Sequence, residues 1–173
     1  MPNSDLVERY LNWKYKELLP RDGGSVADYP RLLSKAANDL MPYLFRAEFD
    51  ITLVDGVVGS VRDRLMFASY LALNIESVRK TPCFCAYAGD GSLAVCKGKR
   101  VLLAVNALTT EDEVRALEAA VERAGAKPIP FIAALANTGI ADVGGRRAVG
   151  MINLTITKLA DSAESRATAA VAA

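Results

Sequence analysis

Apolar positions along this chain change period several times, and each change predicts where a helix gives way to a strand. From Leu6 to Leu18 the residues Leu6, Tyr10, Trp13 and Leu18 fall near helical spacing behind Ser4 and Asp5, which predicts an N-terminal helix. Pro20 to Ser25 (P-R-D-G-G-S) is a loop by composition. Asp28 and Pro30 introduce a second helix carrying Leu32, Leu33, Ala36, Ala37, Leu40 and Leu44, which Pro42 is expected to end or kink. Ile51 to Val54 is apolar and β-branched, Gly56 and Gly59 follow, and Asp63 to Leu73 resumes helical spacing through Leu65, Ala68, Tyr70 and Leu73. That is a strand, a glycine-bearing loop and a helix.

Thr81 to Ala86 and Leu93 to Cys96 flank Gly89-Asp90-Gly91, which fits a β-hairpin. Lys97 to Arg100 turns the chain into a strand at Val101 to Val105. The helix after it has the clearest signature: Thr110 at the N-cap with Glu113 three residues on, then Val114, Leu117, Ala120, Val121 and Ala124 on one face, and Gly125 beyond the end. Phe131 to Leu135, preceded by Pro128 and Pro130, completes a βαβ unit whose strands should run parallel. Met151 to Ile156 reads as a last strand, and Ala160 to Ala173 as an alanine-rich helix or tail.

Two strand–loop–helix units around a hairpin predict an α/β fold, a doubly wound and mainly parallel sheet flanked by helices. Ligands bind such sheets outside the carboxyl ends of the strands, which here carry Asp55 to Arg62 and Asn106 to Glu111. At 173 residues, 51% hydrophobic, the chain suits one domain over residues 1–160 with a tail at 161–173.

Charge and composition narrow the chemistry. Lys and Arg (21) nearly balance Asp and Glu (20), so no electrostatic footprint for nucleic acid or an anionic membrane is expected. No apolar run is long enough to span a membrane, and the acidic start around Asp5 and Glu8 does not read as a signal peptide, so a cytoplasmic protein is expected. The absence of histidine removes serine–histidine hydrolysis and histidine-bearing zinc sites. Cys83, Cys85 and Cys96 make a poor metal set and read as buried free thiols, so no metal site is expected.

The strand end and helix start at Val101 to Glu113 have the shape of an anion-binding loop with carboxylates Glu111, Asp112 and Glu113 where an anion would sit. Two like charges ~4 Å apart repel by roughly 4 kcal/mol at an effective dielectric of ~20, enough to weaken phosphate binding about a thousandfold. A Thr-x-x-Glu capping box with acids in the first turn is the structural account of the same string.

From Asp28 to Ile156, and most strongly over Lys97 to Gly125, the order of elements and the string G-K-R-V-L-L-A-V-N-A-L-T-T resemble the type I phosphoribosyltransferases, orotate phosphoribosyltransferase above all. The resemblance implies that fold, with residues 1–29 as a reduced base-binding hood. It also implies a phosphoribosyl pyrophosphate loop on Asn106, Ala107, Leu108, Thr109, Thr110 and Glu111, and a pyrophosphate loop at Gly59, Ser60, Val61 and Arg62. Family strands end in two acids that receive ribose hydroxyls; aligned on Thr109-Thr110, those positions hold Val105 and Asn106, and the small residues beyond fall on Glu111 and Asp112.

The basic mobile loop expected after Pro82 is replaced by Cys83-Phe84-Cys85-Ala86-Tyr87-Ala88 and a short glycine turn. Asn137-Thr138 stands where an orotate-binding arginine would be expected. These departures lead to the expectation of a non-catalytic binding, regulatory or partner subunit, with no firm cofactor and a small-molecule ligand as an option. The alternative is an active transferase moving phosphoribose to orotate or a related base with Mg²⁺, to which Asp55 and Asp63 could contribute if the loops converge. The resemblance further implies a homodimer, with Met66 and Phe67 on the Asp63 to Leu73 helix as a candidate contact.

Overall fold

A computed structural model describes residues 3–60, 65–89 and 91–153 of the chain. Helix α1 spans Asn3–Lys14 and α2 spans Pro30–Arg46. Strand β1 (Gly56–Ser60) leads to α3 (Phe67–Arg79) and β2 (Phe84–Ala88), and β3 (Arg100–Leu108) leads to α4 (Asp112–Arg123) and β4 (Lys127–Asn137). A short hairpin of β5 (Asp142–Val143) and β6 (Arg146–Asn153) completes one six-stranded sheet in the order β2-β1-β3-β4-β6-β5. Every pairing is parallel except β5 with β6. The predicted doubly wound, mainly parallel α/β sheet is therefore what the chain forms.

Strand alternation assigns the two cores. Val57, Leu102, Ala133 and Met151 pack with α1, α2 and α3, while Val58, Leu103, Ala134 and Val101 pack with α4. Because helices cover both faces, β3 reads as an apolar run broken only at Asn106, and Val101 to Leu108 are all buried.

Several elements differ from expectation, each for a local reason. Ile51–Leu53 is a 3-10 turn in which the Asp50 carboxylate accepts from Thr52 N–H (2.9 Å), and the strand starts later, at Gly56. The glycines placed in a loop are strand residues instead. An ideal Cβ on Gly56 would meet the Phe84 ring at 2.3 Å, and one on Gly59 would meet Ala68 Cβ at 2.8 Å, so neighbours on β2 and α3 require hydrogen at both positions.

Pro42 lies inside α2 without ending it. It sits on the solvent side, as does Asn38, whose carbonyl lacks an N–H partner from Pro42 but lies at the exposed face, where that costs little. The expected hairpin after Thr81 does not form: β2 pairs in parallel with β1, and Leu93 to Cys96 belong to a 3-10 turn, Ser92–Cys96. The Ser92 hydroxyl accepts from Tyr87 N–H (3.0 Å), so that amide at the outer edge of β2 is bonded without a second strand.

Helix α3 begins at Phe67, behind Met66 in a left-handed conformation, and runs to Arg79, six residues past Leu73 as the numbering shows. Asp63 lies outside the described residues, as do Leu154 to Ile156 of the expected last strand and all of Ala160 to Ala173. The last strand instead starts at Arg146, after a Gly144-Gly145 turn with positive φ at both residues (59° and 82°). On the N-terminal helix Tyr10 is buried as expected, whereas Trp13 is 45% exposed and Leu18, in a 3-10 turn past the helix, is 55% exposed; Val7, Leu11 and Tyr15 take the inward face. Phe67, expected on an exposed face, is 2% exposed and belongs to the core.

Candidate functional site

In a doubly wound sheet the crevice opens where strand order reverses. Here β1 connects outward through α3 to β2 and β3 connects the other way through α4 to β4, so the reversal lies between β1 and β3. The register sets the shape of the crevice: Ser60 pairs with Ala88 and Gly59 with Ala104, so β3 continues through Asn106, Ala107 and Leu108 above the end of β1. At that step lies a cavity of about 150 Å³ lined by Ser60, Ala88, Glu113, Ala116 and Leu117. None of these described lining residues is basic.

Of the candidate residues on the first loop, Asn106, Ala107 and Leu108 are buried strand residues, and only Thr109, Thr110 and Glu111 form the bend. Thr138 closes the top of β3, its amide and its hydroxyl both donating to the Leu108 carbonyl at 3.1 and 3.0 Å. The expected Thr110 cap is absent. Glu111 occupies the N-cap with helical dihedrals and no side-chain cap bond, because β3 extends three residues further than predicted and moves the bend along the chain.

The Glu111 carboxylate instead pairs with Arg115 one turn on at 2.6 Å, while Asp112 and Glu113 fill the first turn. Carboxylates at this end complement the positive pole of the helix, the same pole an anionic ligand would use. The helix start thus carries acidic side chains of its own.

Gly59 and Ser60 of the second loop end β1, whereas Val61, Arg62, Asp63 and Arg64 lie outside the described residues. Opposite them, Tyr87 reaches from β2 to the first turn of α3. Ser69 N–H donates to the phenol oxygen at 3.2 Å, and the two hydroxyls lie 2.7 Å apart. An amide of this second helix start is therefore engaged by a neutral side chain of the protein. Tyr87 itself packs at the edge of the larger core, and its ring and Ala68 crowd Gly59.

Asp55 cannot serve a cation at this crevice. It precedes β1, at the amino edge of the sheet, and takes hydrogen bonds from Arg100 N–H (2.8 Å) and its guanidinium (3.4 Å), which hold its carboxyl below the usual range, the backbone bond most of all. Among the described residues no three His, Cys, Asp or Glu side chains are grouped to hold a metal ion.

Asn137 is a structural residue. Its Oδ1 accepts from Gly139 and Ile140 N–H (3.0 and 2.9 Å) and its Nδ2 donates to the Ile140 carbonyl (2.7 Å), reversing the chain after β4. The returning segment is fastened by Arg146, which pairs with Glu118 of α4; both side chains are under a fifth exposed. Tyr70 packs at the edge of the larger core.

Cys83, Cys85 and Cys96 are free thiols, and burial pushes Cys83 up to about 11. Among the described residues no helix is long and apolar enough to cross a membrane.

No protein-family model matches the chain, and no curated protein matches it by sequence. Solved structures do match the fold. Orotate phosphoribosyltransferase from Aeropyrum pernix superposes with a TM-score of 0.52 at 16% identity, over 84% of this chain and 89% of that one. An adenine phosphoribosyltransferase from Saccharomyces cerevisiae, complexed with an imino-altritol bisphosphate and adenine, gives 0.50 at 16% identity, over 72% of this chain and 81% of that one. The adenine enzyme from Rhodothermus marinus gives 0.50 at 19% identity, over 75% and 83%. The fold is of the phosphoribosyltransferase type.

Proposed function

We propose that this chain is a phosphoribosyltransferase-fold protein that has given up phosphoribosyl pyrophosphate chemistry and acts as a binding, regulatory or partner subunit. One observation carries the reading: the start of α4, the anion seat of such a fold, bears Glu111, Asp112 and Glu113, with Glu111 already paired to Arg115. The neighbouring cavity supports it, since about 150 Å³ is half or less of the roughly 300–1,000 Å³ typical of ligand pockets. A phosphoribosyl donor with three phosphate groups exceeds that space.

Two further elements belong to the proposal. The protein self-associates as a homodimer, and the outer side of α3 is its contact: Met66 and Leu73 are 52% and 54% exposed, a helical turn pair apart. It works in the cytoplasm, where its three free thiols stay reduced.

The test is incubation with phosphoribosyl pyrophosphate, Mg²⁺ and orotate or adenine, with pyrophosphate release followed by chromatography. Release no faster than in a protein-free control is expected. Turnover that scales with protein concentration would establish the active transferase in its place.

A further inference from the structure

We draw no further inference here: the strongest candidate, the apolar stripe of Met66, Tyr70 and Leu73 along the outer side of α3, carries nothing beyond the self-association already proposed, because nothing in the structure shows what covers it.

Discussion

Gly59 is where the crevice, α3 and β2 meet, and Gly59→Ala measures how tightly they meet. The added methyl would lie 2.8 Å from Ala68 Cβ and 3.0 Å from the Tyr87 ring, against an ordinary carbon–carbon contact of about 3.5–4.0 Å. Relief requires α3 to move outward by roughly 1 Å. The Tyr87 ring cannot step aside independently, since its hydroxyl is bonded to Ser69 on the same helix. Nor is α3 free to move, because Phe67, Ala68, Leu71, Ala72 and Ile75 are all buried in the core.

Overpacking of this kind costs about 1–3 kcal/mol, and the doubly restrained geometry places Gly59→Ala near the middle, about 2 kcal/mol. For a chain of this length that is a fall of roughly 4–8 °C in Tm. Urea unfolding at constant m gives the value directly. Ala68→Gly alone should destabilise by about 1–2 kcal/mol through a lost buried methyl and lower helix propensity, yet combined with Gly59→Ala it should cost at least about 1 kcal/mol less than the sum. A single variant within about 0.5 kcal/mol of the parent, or strict additivity in the pair, refutes the close approach.

Arg146→Ala should cost about 3 kcal/mol by stranding the Glu118 carboxylate beneath the hairpin, and adding Glu118→Ala should recover part of it; a loss below about 0.5 kcal/mol in urea unfolding would deny the hairpin its anchor. Asp55 has a folded pKa held below its unfolded value of about 3.9, so its contribution is present above that pH and lost as pH falls through the folded value. The stability gap between parent and Asp55→Asn should therefore be widest near neutrality and narrow as pH falls below the unfolded value of about 3.9, and a gap unchanged with pH contradicts the assignment. Cys85, half-buried, should react first with iodoacetamide at pH 8, whereas Cys83, with about one part in a thousand as thiolate, should react only on unfolding or as pH climbs toward 11; mass spectrometry showing Cys83 labelled first would contradict its burial.

Amphipathic helices and the fully buried central strand were legible in the sequence because their signals are dense. Val114, Leu117 and Val121 lie on the inward side of α4 as their spacing demands, and β3 and β4 run parallel as the βαβ pattern required. The strand at β1 was misplaced because Gly56 and Gly59 read as loop punctuation, when their role is to admit the Phe84 ring and the start of α3. No periodicity reports such a contact between elements distant in sequence. The false hairpin has a local origin: glycines at 89 and 91 do adopt positive φ, but the Ser92 hydroxyl takes the Tyr87 N–H that a partner strand would have covered.

At the crevice, the run of acids after Thr110 correctly marked a helix start, although its cap shifted to Glu111. Asp55 was a poor candidate for a cation because the strand was read at Ile51 to Val54, which put Asp55 at a carboxyl end, whereas it precedes β1. Tyr87 and Asn137 take their roles from tertiary hydrogen bonds, to Ser69 and to the turn after β4, and were therefore beyond a one-dimensional reading.

The central claim concerns an anion seat that bears the protein's own carboxylates, and isothermal titration with phosphoribosyl pyrophosphate and excess Mg²⁺ addresses it most directly. No heat of binding at concentrations up to the millimolar range is predicted. A saturable isotherm with a micromolar dissociation constant would contradict it.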